Sequence, residues 1–128
     1  MTYAILGWLS VSLLTLLIPP YVLVRLNKQF IHTKDKRFLG VIRFLRKLHK
    51  PAGILLLVAA GWHGYLALFG RIRWHTGTAL FILVLITVSL GGAFFRLKKR
   101  KLFSFHKLAA LLTVLMVLLH FFFPYLFS

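Results

Sequence analysis

Four long apolar stretches divide the chain, and polar segments rich in lysine and arginine separate them. A helix needs about 20 apolar residues to cross the hydrocarbon core of a bilayer. Lipid cannot satisfy open backbone groups, so each stretch is expected to be helical. The pattern therefore predicts four membrane-spanning helices, at residues 3–24, 51–69, 76–95 and 102–127.

The polar segment after the first span contains a second pattern. In residues 37–48, apolar side chains recur near helical spacing opposite a row of arginines and lysines, which is typical of an amphipathic helix at a membrane surface. Pro51 suits the first turn of the next span or a bend into the membrane, and Pro19 and Pro20 predict a kink in the first span. The predicted fold class is an all-α membrane protein, with residues 1–128 forming a single four-helix transmembrane bundle and a basic amphipathic helix at the inner surface.

Composition agrees with a membrane protein and restricts its chemistry. Of the 128 residues, 60% are hydrophobic, and the 17 lysines and arginines face a single acid, Asp35, for a net charge of +16. One acid excludes paired-carboxylate catalysis and carboxylate-rich Ca²⁺ or Mg²⁺ sites. The absence of cysteine excludes thiolate metal sites, iron–sulfur clusters and covalent haem attachment. The six histidines remain as the side chains that can carry chemistry.

The distribution of positive charge predicts an orientation. Nine cations lie between the first and second spans and six around the start of the fourth, whereas the turn between the second and third spans holds only Arg71 and Arg73. Cytoplasmic loops carry the excess of Lys and Arg, so both termini are expected outside a plasma or inner membrane. The same charge predicts attraction to the lipid bilayer, and no nucleic-acid partner is expected.

Four histidines recur at one spacing on two of the predicted spans. His49 and His63 are 14 residues apart, and so are His106 and His120. Fourteen helical steps return to nearly the same face and advance roughly 21 Å. The second and fourth spans run parallel, so His49 is expected level with His106 near the inner side, and His63 level with His120 toward the outer side. Two facing imidazoles at each depth predict two non-covalent haem b groups, each with two axial histidine ligands.

Small residues beside these histidines extend the predicted site. Gly53, Gly61 and Gly64 lie on or next to the histidine stripe of the second span and leave room for a flat macrocycle. Close packing of helices in a membrane explains the same glycines equally well. We therefore interpret them as candidate cofactor-binding positions, with helix packing as the alternative.

Haem propionates are negatively charged and seek cations at the water boundary. Arg46, Lys50 and Lys107 are candidates for the inner haem, and Arg71 and Arg73 are the only cations available to the outer one. The alternative for all five is that they anchor the ends of the spans by snorkelling to the interface.

Several alternatives to haem ligation stay open. The four histidines could be hydrogen-bonded core residues without a metal. His32 and His75 lie in or beside predicted loops and are interpreted as surface histidines. Other functional hypotheses are a quinol-linked cytochrome b subunit, with a quinone pocket at the kink near Pro19 and Pro20, and a histidine-based metal transporter. The transporter is disfavoured because cysteine, carboxylate and methionine-rich coordination are lacking.

The two histidine-bearing stretches resemble a known family. Residues 48–68, LHKPAGILLLVAAGWHGYLAL, resemble the first ligand helix of the ferric-reductase-like transmembrane domain, and residues 106–120, HKLAALLTVLMVLLH, resemble the second. The ligand spacing is also similar to that of respiratory cytochrome b, and the architecture to that of cytochrome b561 proteins. The resemblance covers about half the chain and implies that the four histidines ligate two b-type haems.

The family resemblance also implies a function, which is electron transfer from a cytosolic module to an outer acceptor such as ferric iron, oxygen or a periplasmic protein. This chain has four predicted spans where the family usually has six, and no Gly-rich phosphate loop that would indicate a flavin or nucleotide module. We therefore expect a separate donor, which would be a cytosolic flavoprotein, a ferredoxin-like protein or a quinol. Whether the chain belongs to a metalloreductase or another oxidoreductase stays open at this point.

Overall fold

The computed structural model describes residues 1–126 of the chain. Helix α1 is followed by a short helix, α2, and by a π-helical turn, and these three elements form one interrupted helix. Together with α3, α4 and α5 it makes an all-α protein of four long helices. The bounds are Thr2–Leu17 for α1, Pro19–Leu26 for α2, Asn27–Ile31 for the π-helical turn, Lys36–Ala67 for α3, Thr76–Leu97 for α4 and Arg100–Phe122 for α5.

The first helix is interrupted at Ile18, immediately before Pro19 and Pro20. A proline has no backbone N–H, so each proline leaves one helical carbonyl without its usual donor. The interruption lies where the sequence predicted a kink. The helix then continues to the π-helical turn, and the loop after it is closed by the backbone N–H of Thr33, which donates to Oδ1 of Asn27 at 2.8 Å.

Helix α3 differs from the sequence prediction. An amphipathic helix over 37–48 and a span that begins near Pro51 were expected as two elements, whereas Lys36–Ala67 is one helix of 32 residues with Pro51 inside it. The proline ring fixes φ at a value that a helix accepts, at the cost of one backbone hydrogen bond. Packing on both sides of the proline stabilises the continuous helix, because Ile42 before it and Leu56 after it are both buried.

Packing joins the helices in a defined order. Helix α3 packs along α1 and along α4, and α5 packs along α4, around a small core that centres on Leu13, Leu56 and Val84. Within the described residues, the backbones of α3 and α5 do not approach each other within 8 Å. The two helices that carry the predicted ligands therefore face each other across a gap that only side chains bridge.

Three helices have the length and apolar composition to cross a membrane, namely Thr2–Ile31, Thr76–Leu97 and Arg100–Phe122. Most of their large apolar side chains face outward, as expected for a multi-pass protein whose surroundings are lipid. The predicted span at 51–69 lies in α3, which is not one of the three, because Lys50, the glycines and His63 lower its hydropathy. The predicted end of the last span, residue 127, lies outside the described residues, and α5 ends at Phe122.

The helices differ in length, and the surplus lies at one end. The interrupted first helix has 30 residues and α3 has 32, against 22 for α4 and 23 for α5. At about 1.5 Å per residue the first two exceed the others by roughly 10–15 Å. The extra length of these two helices lies at the end where the loop before α3 connects them. We call residues 19–48 the basic hairpin. Eight cations lie in it: Arg25, Lys28, Lys34, Lys36, Arg37, Arg43, Arg46 and Lys47.

Asp35, the only acid of the chain, starts α3 by accepting a hydrogen bond from the backbone N–H of Arg37 at 3.1 Å. Loss of such an N-cap costs about 1 kcal/mol. We expect Asp35→Ala to speed hydrogen–deuterium exchange of the amides in the first turn of α3 several-fold, whereas Asp35→Asn, which keeps an acceptor oxygen, should exchange at the wild-type rate. Equal exchange in all three proteins would show that the cap does not stabilise the helix.

Candidate functional site

His49 of α3 and His106 of α5 face each other across the gap. Their ring centroids are 6.1 Å apart and the ring planes make an angle of 76°. Two imidazole nitrogens bound on opposite sides of one metal, at about 2 Å each, place the two ring centres roughly 6 Å apart. The structure thus brings together the inner pair that the 14-residue spacing predicts, at a separation that suits a shared metal.

One ring of this inner pair is also bonded to the helix that packs beside its own. The Nδ1–H of His106 donates to the backbone carbonyl of Thr87 in α4 at 2.8 Å. A carbonyl oxygen only accepts, so the proton is on Nδ1 and the Nε2 lone pair remains available to a metal. The ring of His49 lies near the backbone carbonyl of Leu17 at the end of α1.

His63 has the same arrangement at the other end of α3. Its Nδ1–H donates to the backbone carbonyl of Tyr3 in α1 at 2.6 Å, which again leaves the Nε2 lone pair available. Gly7 of α1 lies directly against the ring, and a Cβ added there would be 3.1 Å from Cε1 of His63. The glycine is what permits this close approach.

His120 of α5 is held by Thr76, the first residue of α4, which is completely buried. The hydroxyl of Thr76 donates to the carbonyl of Pro124 at 2.7 Å, so Oγ1 must accept from Nδ1–H of His120, at 2.9 Å. His120 therefore also keeps its Nε2 lone pair. Gly77 makes room for it, because an added Cβ would lie 2.9 Å from Cε1 of His120.

The structure also places His75 at this outer end, although the sequence suggested a surface histidine. The ring of His75 is half-buried, with its centroid 6.2 Å from that of His120, and His63 lies close enough to His120 to interact with it electrostatically. Nδ1 of His75 accepts the backbone N–H of Thr78 at 3.0 Å and so caps α4. Its proton is consequently on Nε2, which makes His75 a hydrogen-bond donor toward its surroundings and not a metal ligand in this state.

Two further observations limit the site. Within residues 1–126, no group of three or more histidine and acidic side chains is arranged to hold a metal ion. His32 is exposed, with a left-handed φ of 51°, at the end of the π-helical turn. The arrangement is therefore one of paired histidines, to which His32 does not belong.

The three candidate glycines have different surroundings. A Cβ added to Gly53 or Gly64 would meet no atom within 4 Å, so there is free space beside His49 and His63. Gly61 instead lies against α4, where an added Cβ would be 3.3 Å from the ring of Phe81. The surroundings of Gly53 and Gly64 are thus open, whereas Gly61 packs against α4.

Of the three cations expected near the inner haem, Lys50 and Lys107 contact aromatic rings and Arg46 lines a separate groove. Nζ of Lys50 lies 3.2 Å from the ring centroid of Phe95, and Nζ of Lys107 lies 4.9 Å from that of Phe103. Arg46 lines a groove in the basic hairpin. All three stay near the inner ends of the helices, but none is directed at the inner pair by a contact in the structure.

The two outer cations lie together at the other end of the protein. Arg71 and Arg73 line a cavity of about 660 Å³, and Trp74, His75 and Tyr125 form part of the same wall. The cavity connects these cations with His75 and therefore with the surroundings of His120.

Sequence reasoning missed the residues that position the histidines. Thr76, Thr87, Gly7 and Gly77 belong to helices that carry none of the four predicted ligands, so no spacing within a ligand helix indicates them. Their only signal is that small and hydroxyl residues recur in apolar spans, and ordinary helix packing gives the same signal.

No family model, curated protein or solved structure matches the chain.

The Thr76 contact generates a prediction about stability. Thr76→Val removes the acceptor of His120 Nδ1–H and the donor to Pro124 while keeping the side-chain shape, and leaving buried polar groups unpaired costs about 1–3 kcal/mol. We expect a lower unfolding midpoint in detergent micelles, measured by circular dichroism. Thr76→Ser keeps both hydrogen bonds and should retain most of the stability; a serine variant as unstable as the valine variant would contradict this role.

Proposed function

We propose that this chain is a membrane cytochrome b that carries electrons across a bilayer through two haems b, ligated by His49 with His106 and by His63 with His120. The inner pair carries the proposal, because its two rings lie 6.1 Å apart on helices whose backbones do not touch. The ferric-reductase-like resemblance in the sequence supports the same assignment.

The position of the proton on the histidine rings supports metal ligation over a purely structural role. His63, His106 and His120 each donate Nδ1–H to an oxygen of the neighbouring helix, which leaves Nε2 as the free nitrogen. A histidine that binds a metal through one nitrogen commonly donates the other N–H to a carbonyl in this manner, which fixes the ring orientation. Within the described residues no buried side-chain nitrogen lacks a hydrogen-bond partner, so these Nε2 atoms are accessible to a ligand from the surroundings of the rings.

The residues of the chain fit a haem in other respects. The open space at Gly53 and Gly64 and the separation of α3 and α5 support the placement of a macrocycle between the two ligand helices. Bound haem b supplies reversible one-electron chemistry at its iron. The chain itself would ligate the two groups, set their orientation through the Nδ1 hydrogen bonds and insulate them from lipid and solvent.

The proposal includes an orientation. We propose that α3 crosses the membrane as the fourth span, since it lies along α1, with His49 near Leu17 and His63 near Tyr3. The basic hairpin would face the cytoplasm of a plasma or inner membrane, with both termini outside. Electrons would enter at the His49 end from a flavoprotein, ferredoxin-like protein or quinol, and leave at the His63 end to an outer acceptor.

The direct test is to measure haem in the purified protein. We expect a reduced-minus-oxidised spectrum of six-coordinate haem b, and a pyridine haemochrome assay should give two haems per chain. His106→Ala and His63→Ala should each leave one haem, because each removes one ligand of one pair. A colourless protein after expression with ample haem would refute the proposal.

Two histidine variants serve as controls of the pairing. His32→Ala removes an exposed histidine and should retain both haems. His75→Ala should retain both as well, because Nδ1 of His75 accepts the backbone N–H of Thr78 and its Nε2 is protonated. Loss of one haem in His75→Ala, together with two haems in His63→Ala, would reassign the partner of His120.

Adjacent glycines in α4 offer a matched pair of variants for the inner site. A Cβ at Gly91 would lie 3.0 Å from Cε1 of His106, whereas a Cβ at Gly92 would meet nothing within 4 Å. We expect Gly91→Ala to displace the His106 ring and lower the haem content toward one per chain. Gly92→Ala should bind haem as the wild type does, and identical haem content in the two variants would contradict this geometry.

A further inference from the structure

The basic hairpin contains a groove that the proposed electron transfer does not use. It lies where α2 and the π-helical turn pack against the first half of α3, and its volume is about 490 Å³. Its walls combine cations with apolar side chains. The cations are Lys28, Arg43 and Arg46, and the apolar residues are Val24, Leu39 and Ile42.

No acid neutralises the three cations of this groove. Asp35 is the only acid of the chain, and its carboxylate caps α3 through the backbone N–H of Arg37. The residues that line the groove include no other negatively charged group. Three cations on one concave surface favour an anion that brings several oxygen acceptors, and a phosphate group meets this requirement.

The position of the groove indicates which kind of phosphate compound binds there. The basic hairpin exceeds α4 and α5 by roughly 10–15 Å at one end, and one headgroup layer adds about 5–8 Å to a hydrocarbon core of about 30 Å, so the hairpin reaches the full depth of the headgroup layer on its side. The hairpin also exposes large apolar side chains between its cations, among them Phe30 at 75%, Val41 at 53% and Phe44 at 60%. Apolar side chains interleaved with cations are typical of a segment that lies in the membrane interface.

We propose that this groove is a binding site for an anionic phospholipid. Lys28, Arg43 and Arg46 would hold the phosphate through charge-assisted hydrogen bonds, while the apolar wall, including the buried Ile42, contacts the glycerol backbone and the start of the acyl chains. An acidic protein is a less suitable occupant, because the exposed Phe30, Val41 and Phe44 of the hairpin need an apolar environment, which the membrane interface supplies.

The test uses native mass spectrometry of the full chain in detergent, titrated with phosphatidylglycerol or with phosphatidylcholine of the same acyl chains. Detergent removes the charged bilayer surface, so only direct contacts contribute. The wild type should retain phosphatidylglycerol more tightly than phosphatidylcholine. The K28Q/R43Q/R46Q triple variant should bind phosphatidylglycerol about tenfold more weakly or worse, in keeping with the contribution of each cation near an anionic lipid.

The same hairpin offers a control with an identical change of charge. K34Q/K36Q/R37Q removes three cations that do not line the groove and should change phosphatidylglycerol binding less than about twofold. An equal loss of phosphatidylglycerol binding in both triple variants would overturn the proposed lipid site, since total charge alone would then determine binding. Circular dichroism of both variants checks that the helices persist.

Two further outcomes would overturn the assignment to a lipid. Glycerol phosphate lacks acyl chains, so we expect millimolar concentrations to leave the bound lipid in place, and displacement would indicate a site for free phosphate compounds. Retention of phosphatidylcholine as tightly as phosphatidylglycerol would show that the cations do not select the headgroup. None of these measurements depends on haem content, so the lipid site and the proposed electron transfer can fail independently.

Discussion

A histidine ring in an apolar bundle has two nitrogens, and leaving either without a partner is costly in the absence of water. In this protein three of the four regularly spaced rings are bonded to an oxygen of the helix that packs beside their own. His63 bonds to α1, and His106 and His120 bond to α4. These hydrogen bonds join α1 with α3 and α4 with α5, and they leave Nε2 of each of the three rings available.

Close packing within each helix pair follows from the same contacts. Gly7, Gly77 and Gly91 lie against histidine rings, so the backbones that supply the oxygen acceptors come near enough to bond. Between α3 and α5 no such approach occurs, and the inner pair of rings bridges the distance. The bundle is thus closely packed within each helix pair and open between the two ligand helices.

The two ends of the protein differ in a way that suits a directional function. One end has the long basic hairpin, whose cations greatly outnumber those of the other end. The opposite end has only Arg71 and Arg73, in a cavity with His75 and Tyr125. Charge and length therefore concentrate on the side where we place the donor and the phospholipid, while the cavity of about 660 Å³ lies near the proposed outer haem.

The sequence alone determined the all-α class, the apolar stretches and the 14-residue histidine spacing, because hydropathy and helical periodicity are properties of contiguous residues. It also located the helix break before Pro19, which follows from the missing N–H of proline. Only the tertiary structure decided that α3 continues through Pro51, that the Lys50 ammonium contacts the ring of Phe95 and that His75 lies beside His120. It likewise decided which ring nitrogen carries the proton in His63, His75, His106 and His120. These features depend on atoms of a neighbouring helix or of a turn, which no periodicity within one helix encodes.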